Sequence, residues 1–151
     1  MAQCQDARNP RSLKLYLYYI GKPRDPHANA LAADYLARIQ HYSTAQSSEI
    51  RPDKFDLFTR HASARKIFLD PLGRTMDSQA FAQLIGRSEM AGQDLVFLVG
   101  GHDGLPPEWR DRADLLLSLS AMTFPHELAR AMLAEQIYRG FAILRGHPYP
   151  R

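Results

Sequence analysis

Cysteine is almost absent from this sequence: Cys4 is the only one in 151 residues. An intramolecular disulfide is therefore excluded, which suits a reducing compartment. Cys4 itself lies in a polar amino-terminal stretch away from any histidine cluster, where an exposed thiol without a role is expected. Long apolar runs are missing too. No stretch approaches the roughly 18 residues of a membrane span, and Met1 to Ser12 has no hydrophobic signal core, so a cytoplasmic protein without membrane contact is expected. The formal charge of +3 is too small to diagnose nucleic-acid binding, because whole-chain charge speaks first to solubility and steering. The six histidines show no metal-ligand spacing, and no metal is expected. There is no internal repeat and no low-complexity segment.

What the sequence does contain is enough chain for one ordinary domain with its own core. Residues 1–12, polar and carrying Asn9-Pro10, read as a disordered extension, and 13–151 as the folded domain. Leu13 to Tyr19, before Ile20-Gly21-Lys22-Pro23, has the pattern of a strand ending in a turn. Leu31, Tyr35, Ile39 and Tyr42 recur at helical spacing and predict an amphipathic helix over Pro26 to Tyr42. Ser43 to Lys54 is polar and predicts at most a short strand near Glu49 to Arg51. Phe55, Leu57 and Phe58 fit a short helix. Lys66 to Asp70 reads as a strand closed by Pro71-Leu72-Gly73. A helix capped by Asp77 or Ser78 should follow and end near Gly92.

Leu95 to Val99 is apolar without alternation, as in a strand covered on both faces. Pro106 and Pro107 suit the first turn of a short helix through Trp109 and Arg112. Leu115 to Leu119 reads as another covered strand, and His126 to Arg145 as a final helix. Strands alternating with helices predict an α/β fold with a mostly parallel sheet of about five strands. The final helix carries Leu128, Met132, Leu133, Ile137, Tyr138, Phe141 and Leu144, a surface too wide for one burial partner. Its own sheet is one partner and a second subunit is the other expected. From His126 onward there are four arginines against two glutamates, so this end is basic, either a solvated helix face or a surface able to attract phosphate.

The chemistry is expected where two strand-to-loop breaks fall close together. Gly100-Gly101-His102-Asp103-Gly104 follows one strand, and Leu119-Ser120-Ala121-Met122-Thr123-Phe124 follows the next. Glycines permit close backbone approach, so the first loop could cradle a phosphate or a nucleoside, or be a structural turn. The spacing is not Gly-x-Gly-x-x-Gly, and no acidic residue stands about 20 residues on to hold a ribose, which argues against a nicotinamide enzyme. Glu135 and Arg139, four apart on a helix, read first as a surface ion pair. Trp109 reads as a packed aromatic, and His126 as a structural residue at the start of the last helix.

Taken together, Leu98 to Leu105, Leu117 to His126, Leu128, Arg130, Leu133 to Arg139 and His147-Pro148-Tyr149 carry a specific resemblance. The chain resembles a methyltransferase family of the SPOUT superfamily, which methylates N3 of a pseudouridine in large-subunit (23S) ribosomal RNA using S-adenosylmethionine. The resemblance implies a carboxyl-terminal trefoil knot, which periodicity could not have shown, and a homodimer acting on the assembled ribosome. It implies cofactor contacts at Leu69, Gly100 and Leu119 to Phe124, that is Leu119, Ser120, Ala121, Met122, Thr123 and Phe124. A general base near neutrality would help remove the N3 proton. His147 and Tyr149 on the tail are the residues expected there, with Arg151 as phosphate anchor or as a charge favouring the deprotonated base. The sequence departs from the family at the tail, where Pro150 stands in place of a second histidine. It also has a shorter middle region, and His102 where a smaller residue is usual. The alternative reading is a non-catalytic ribosome- or RNA-binding homologue that has lost a tail histidine.

Overall fold

The computed structural model describes residues 13–149, so the expected amino-terminal extension, Cys4, Pro150 and Arg151 lie outside the described residues. In chain order the elements are β1 (Lys14–Ile20), α1 (Pro26–Ile39), β2 (Thr44–Ile50), α2 (Leu57–Arg60), β3 (Arg65–Arg74), α3 (Ser78–Ala91), β4 (Leu95–Val99), α4 (Pro107–Arg110), β5 (Leu115–Leu117) and α5 (His126–Leu144). The strands form one sheet in the order β2-β1-β4-β3-β5. Every neighbouring pair is parallel, as the alternation of strands and helices predicts.

Two-sided burial explains the unbroken apolar runs. In β4, Leu95, Phe97 and Val99 face the core shared with the long helices, while Val96 and Leu98 face a second core with Leu57, Phe58 and Trp109. β1 divides in the same way, Leu15 and Leu17 to one side and Tyr18 to the other. Because successive side chains of a strand point to opposite faces, only a strand covered twice needs apolar residues at every position. Trp109 is accordingly a packing residue, edge-on to Phe58 with ring centroids 5.3 Å apart.

β2 corrects the sequence expectation of a strand of at most a few residues. All seven residues of Thr44–Ile50 pair with β1. At the sheet edge, backbone pairing to one neighbour suffices, and only Ala45 and Ile50 are buried among otherwise polar side chains, so neither alternation nor a run of apolar residues marks the strand. β5 is shorter than expected, Leu115–Leu117. β3 is longer: residues 70–73 bulge out, and Arg74 rejoins the ladder opposite Leu117, its carbonyl accepting the Ser118 amide at 2.9 Å.

The wide apolar surface of α5 finds its partners within the same chain. Ile137 and Phe141 are fully buried, because α5 packs against both α1 and α3 as well as the sheet. Burial of those residues therefore requires no second subunit. Arg145 at the end of α5 adds an ion pair of 2.6 Å to the buried Glu89 of α3. At its other end, Glu127 Oε1 accepts the amides of Arg24 and Asp25 and the side-chain amide of Asn29. Asp25 in turn caps α1 by accepting the amides of His27 and Ala28. One carboxylate thus fixes the β1–α1 turn to the start of α5.

The two backbone amides, with the Asn29 amide, outweigh desolvation and hold the Glu127 carboxyl down at about 2 against an ordinary 4.5. A depressed folded-state pKa contributes stability that is full above the unfolded value and is lost as the pH falls through the folded one. Glu127→Gln should therefore lower the melting temperature near neutrality, and the gap to wild type should close between pH 4.5 and about 2. Thermal melts across that range test this; a gap independent of pH would refute the role given to the charge.

Candidate active site

In a parallel sheet all strands deliver their carboxyl ends to one edge, where ligands of open α/β folds bind. Here the loops after β3, β4 and β5 meet at that edge and enclose a cleft of about 290 Å³. Leu69, Gly100, Leu119, Ser120, Met122, Thr123 and Phe124 all line it. Ala121 lies in the same loop without lining the cleft. Asp70, His102, Leu105, Leu117, His126 and Ala129 line it in addition. Asp70 directly follows Leu69 at a strand end, and His126 follows the Ser-Ala-Met-Thr loop. Position beside the expected residues was thus the available signal.

The glycine loop owes its composition first to its own shape. A side chain on Gly100 would place its Cβ 2.7 Å from the Gly104 carbonyl carbon, closer than real Cβ contacts come. Gly104 has φ of +77°, a region that side-chain-bearing residues avoid. Its amide closes the turn onto the Gly101 carbonyl at 2.9 Å. The structural and ligand-approach readings of Gly100 therefore coincide: the fold-back that forbids a side chain also brings bare backbone to the cleft. Across the cleft, Ser118 Oγ donates to the Ser120 carbonyl at 2.9 Å, and Ser120 Oγ accepts the Met122 amide at 3.0 Å. These two hydroxyls fix the turn that presents Leu119 to Met122.

Asp70 is the only carboxylate lining the cleft, and no lysine or arginine lines it among the described residues. Its side chain accepts the Leu72 amide at 2.8 Å and pairs with Arg110 of α4. Burial alone would raise the Asp70 pKa, but the Arg110 hydrogen bond, the Leu72 amide and the Arg110 charge outweigh it and hold it below the ordinary carboxylate value. The cleft thus presents backbone, hydroxyl and apolar groups with its one acid already neutralised. His126, at the first position of α5, comes within 4.0 Å of where a Cβ on Gly21 would stand. It fills the corner between the cleft and the β1–α1 turn.

The tail residues are placed elsewhere. Tyr149 lies against Tyr138, edge-on at 4.8 Å, and its hydroxyl donates to Glu135 at 2.6 Å, with the Tyr35 hydroxyl at 3.3 Å. Burial, then the hydrogen bonds to Glu135 and Tyr35, push its phenol pKa up. The Glu135–Arg139 pair, 2.5 Å apart and largely buried, is therefore the anchor of the tail rather than a solvated surface pair. His147 accepts the Tyr149 amide on Nδ1 at 3.1 Å. Neither His147 nor Tyr149 lines the cleft in the single chain, and Arg151 lies outside the described residues. No group of three or more His, Cys, Asp or Glu among the described residues could hold a metal ion.

Comparison with known proteins agrees with this architecture. A family model described as a predicted SPOUT methyltransferase matches residues 13–150. A protein of Solibacter usitatus named ribosomal RNA large subunit methyltransferase H is 70% identical over 139 residues, covering 92% of this chain and all of that one. Proteins of the same name from Rhizobium etli and Cereibacter sphaeroides are 51% and 39% identical, each match covering 92% of this chain and 99% of the relative. Among solved structures, a probable methylase family protein from Haemophilus influenzae superposes with a TM-score of 0.57 at 9% identity, covering 92% of this chain and 70% of that one. An AdoMet-bound rRNA methyltransferase from Sinorhizobium meliloti superposes at 0.54 with 13% identity, covering 87% and 58%; at such identities the likeness concerns the fold alone. By the family match over nearly its whole length and by these relatives, the chain belongs to the SPOUT methyltransferases.

Proposed function

We propose that this protein methylates N3 of a pseudouridine in 23S ribosomal RNA on the assembled ribosome, using S-adenosylmethionine. The observation that carries the reading is the 70% identity, over the whole of its length, to a relative named as a large-subunit rRNA methyltransferase. The cleft supports it. Its volume is close to the lower end of ordinary ligand pockets, and Gly100 leaves backbone bare where a Cβ would collide. Its lining also suits an adenosine flanked by a sulfonium.

In this reading Leu69 and Gly100 hold the cofactor from one side. The loop of Leu119, Ser120, Ala121, Met122, Thr123 and Phe124 holds it from the other, through backbone amides and carbonyls that match the adenine edge. S-adenosylmethionine, when bound, supplies a methyl carbon on a sulfonium sulfur that takes back the C–S electron pair as the methyl leaves. The chain's own residues orient the base, exclude water and receive the N3 proton. His147, Tyr149 and Arg151 are assigned to the substrate side, as the tail that meets RNA. The tail is presented by the Glu135–Tyr149 hydrogen bond, a tie that leaves the Tyr149 phenol a donor. We also assign the family's knot to the segment leaving edge strand β5. That segment is bound at Ser118 to Arg74 at the end of β3 and must return to α5, packed between α1 and α3. The site of action is the cytoplasm, where ribosomes are; among the described residues no helix is long and apolar enough to cross a membrane.

A homodimer belongs to the same reading. Apolar surface remains uncovered where Leu31 of α1, 44% exposed, stands beside Met132 of α5. The two residues line a second cavity of about 480 Å³ that shares Leu117 and Leu119 with the cleft. A partner seated there would touch the cofactor loop from behind.

Three outcomes test the proposal. Transfer of labelled methyl groups from S-adenosylmethionine to ribosomes from a strain lacking the native methylation should place the label on one pseudouridine; a cofactor-binding protein that labels nothing would favour the non-catalytic homologue. Gly100→Ala should force the glycine loop to shift and weaken cofactor affinity by about tenfold or more, equivalent to about 1.4 kcal/mol, with circular dichroism retained. Unchanged affinity on calorimetry would remove Gly100 from the site. Met132→Asp should cost about 1.5–3 kcal/mol of association, the value of a buried Met side chain, and shift sedimentation from dimer to monomer without unfolding; a wild type already monomeric at micromolar concentration contradicts the interface.

A further inference from the structure

The reaction needs a proton acceptor within reach of the bound base. Three titratable side chains line the cleft: Asp70, His102 and His126. Asp70 has its two oxygens engaged by Leu72 and Arg110. His126 sits at the inner corner toward Gly21 and the β1–α1 turn, beside the Glu127 carboxylate that binds that turn. His102 stands at the outer rim, on the glycine loop, with Nδ1 3.2 Å from the carboxylate of Asp103. The side chain is 94% exposed, so none of the described residues obstructs approach to the ring.

The tautomer follows from the partner. A carboxylate only accepts, so the neutral His102 ring places its proton on Nδ1 and leaves the Nε2 lone pair free. His147 is in the opposite condition. Its Nδ1 accepts the Tyr149 amide, so the neutral ring carries its proton on Nε2 and offers a donor. Tyr149 spends its hydroxyl proton on Glu135. Among the described residues at the cleft and on the tail, His102 is therefore the imidazole whose free lone pair is set by a carboxylate partner at the cleft mouth.

We propose that His102, oriented by Asp103, is the catalytic base that takes the N3 proton of the target base. The N3–H bond breaks and an Nε2–H bond forms. The electron pair stays on N3, where the new bond to the methyl carbon forms, and the imidazolium later yields its proton to water. Asp103 is a positioning residue that fixes the tautomer and stabilises the imidazolium. The other carboxylate at the cleft, Asp70, is engaged by Arg110, whereas Asp103 pairs with the ring itself. This assignment rests on the methyltransferase reading given above.

Single-turnover methylation of ribosomes lacking the mark, from about pH 5 to about pH 9 so as to span the imidazole range, tests it. His102→Gln should lower the rate by about 10² to 10⁴ and remove the ascending limb of the pH profile. Calorimetric affinity for S-adenosylmethionine should stay within about twofold. Asp103→Asn should give a smaller loss and displace the limb, and added imidazole should restore part of the His102→Gly rate. A His102→Gln protein within threefold or so of wild type with the limb intact would overturn the assignment. So would a limb that survives His102→Gln and vanishes in His147→Gln, which would return the role to the tail. A wild type that binds the cofactor and never methylates ribosomes overturns both this inference and the reading beneath it. An active wild type indifferent to His102 overturns the inference alone.

Discussion

Burial of β4 on both faces is the constraint on which the carboxyl edge depends. With Leu95 to Val99 enclosed between two cores and paired to β1 on one side and β3 on the other, the chain can leave the strand only at its end. It leaves there as Gly100. The loop must turn back at once, and it does so by bringing Gly104 so close to Gly100 that no side chain fits. The same crowding recurs after β3, where a Cβ on Gly73 would stand 2.5 Å from the Leu116 carbonyl oxygen. Bare backbone at this edge is thus a consequence of packing first, and the capacity to hold a ligand follows from it.

The electrostatics of the edge follow the same logic. The cleft at this edge carries no strong fixed field, since the one carboxylate lining it is neutralised by Arg110. Charges that serve architecture are placed at its margins. Glu127 draws the β1–α1 turn to α5 through backbone amides, a use of charge worth more than a solvated ion pair because amide dipoles cannot reorient away. Glu135 does similar service for the tail, accepting from Tyr149 while Arg139 balances its charge. The second cavity, which shares Leu117 and Leu119 with the cleft, makes this segment a wall with two accessible sides.

Elements with a strong hydrophobic period were legible in the sequence because burial dictates them directly. β4 and its loop, α1, α3 between Asp77 and Gly92, and α5 all follow from local pattern. β2 did not, since an edge strand held by backbone pairing leaves no trace in side-chain polarity. The cover of Ile137 and Phe141 was expected in part from another subunit for a related reason: periodicity shows how wide an apolar face is but not which neighbours cover it. Here α1 and α3 cover Ile137 and Phe141 within one chain.

For the candidate site, Leu69, Gly100 and all of the Leu119 to Phe124 loop but Ala121 line one cleft, because in a parallel sheet every loop after a strand must reach the same edge. What lies around a given side chain was beyond reach. The sequence by itself determined the fold class, the family and which loops meet at the carboxyl edge, since these rest on local pattern and on the direction of strands. Only the tertiary structure decided that Glu135 binds Tyr149, that Arg110 neutralises Asp70 and that His102 keeps a free lone pair. Such pairings join residues 14 and 40 positions apart in the first two cases. In the third, the local fold of the chain engages two competing groups, Asp70 by the Leu72 amide and His147 by the Tyr149 amide, each partner two positions away. Hydrogen bonds depend on distances that packing sets and sequence spacing does not.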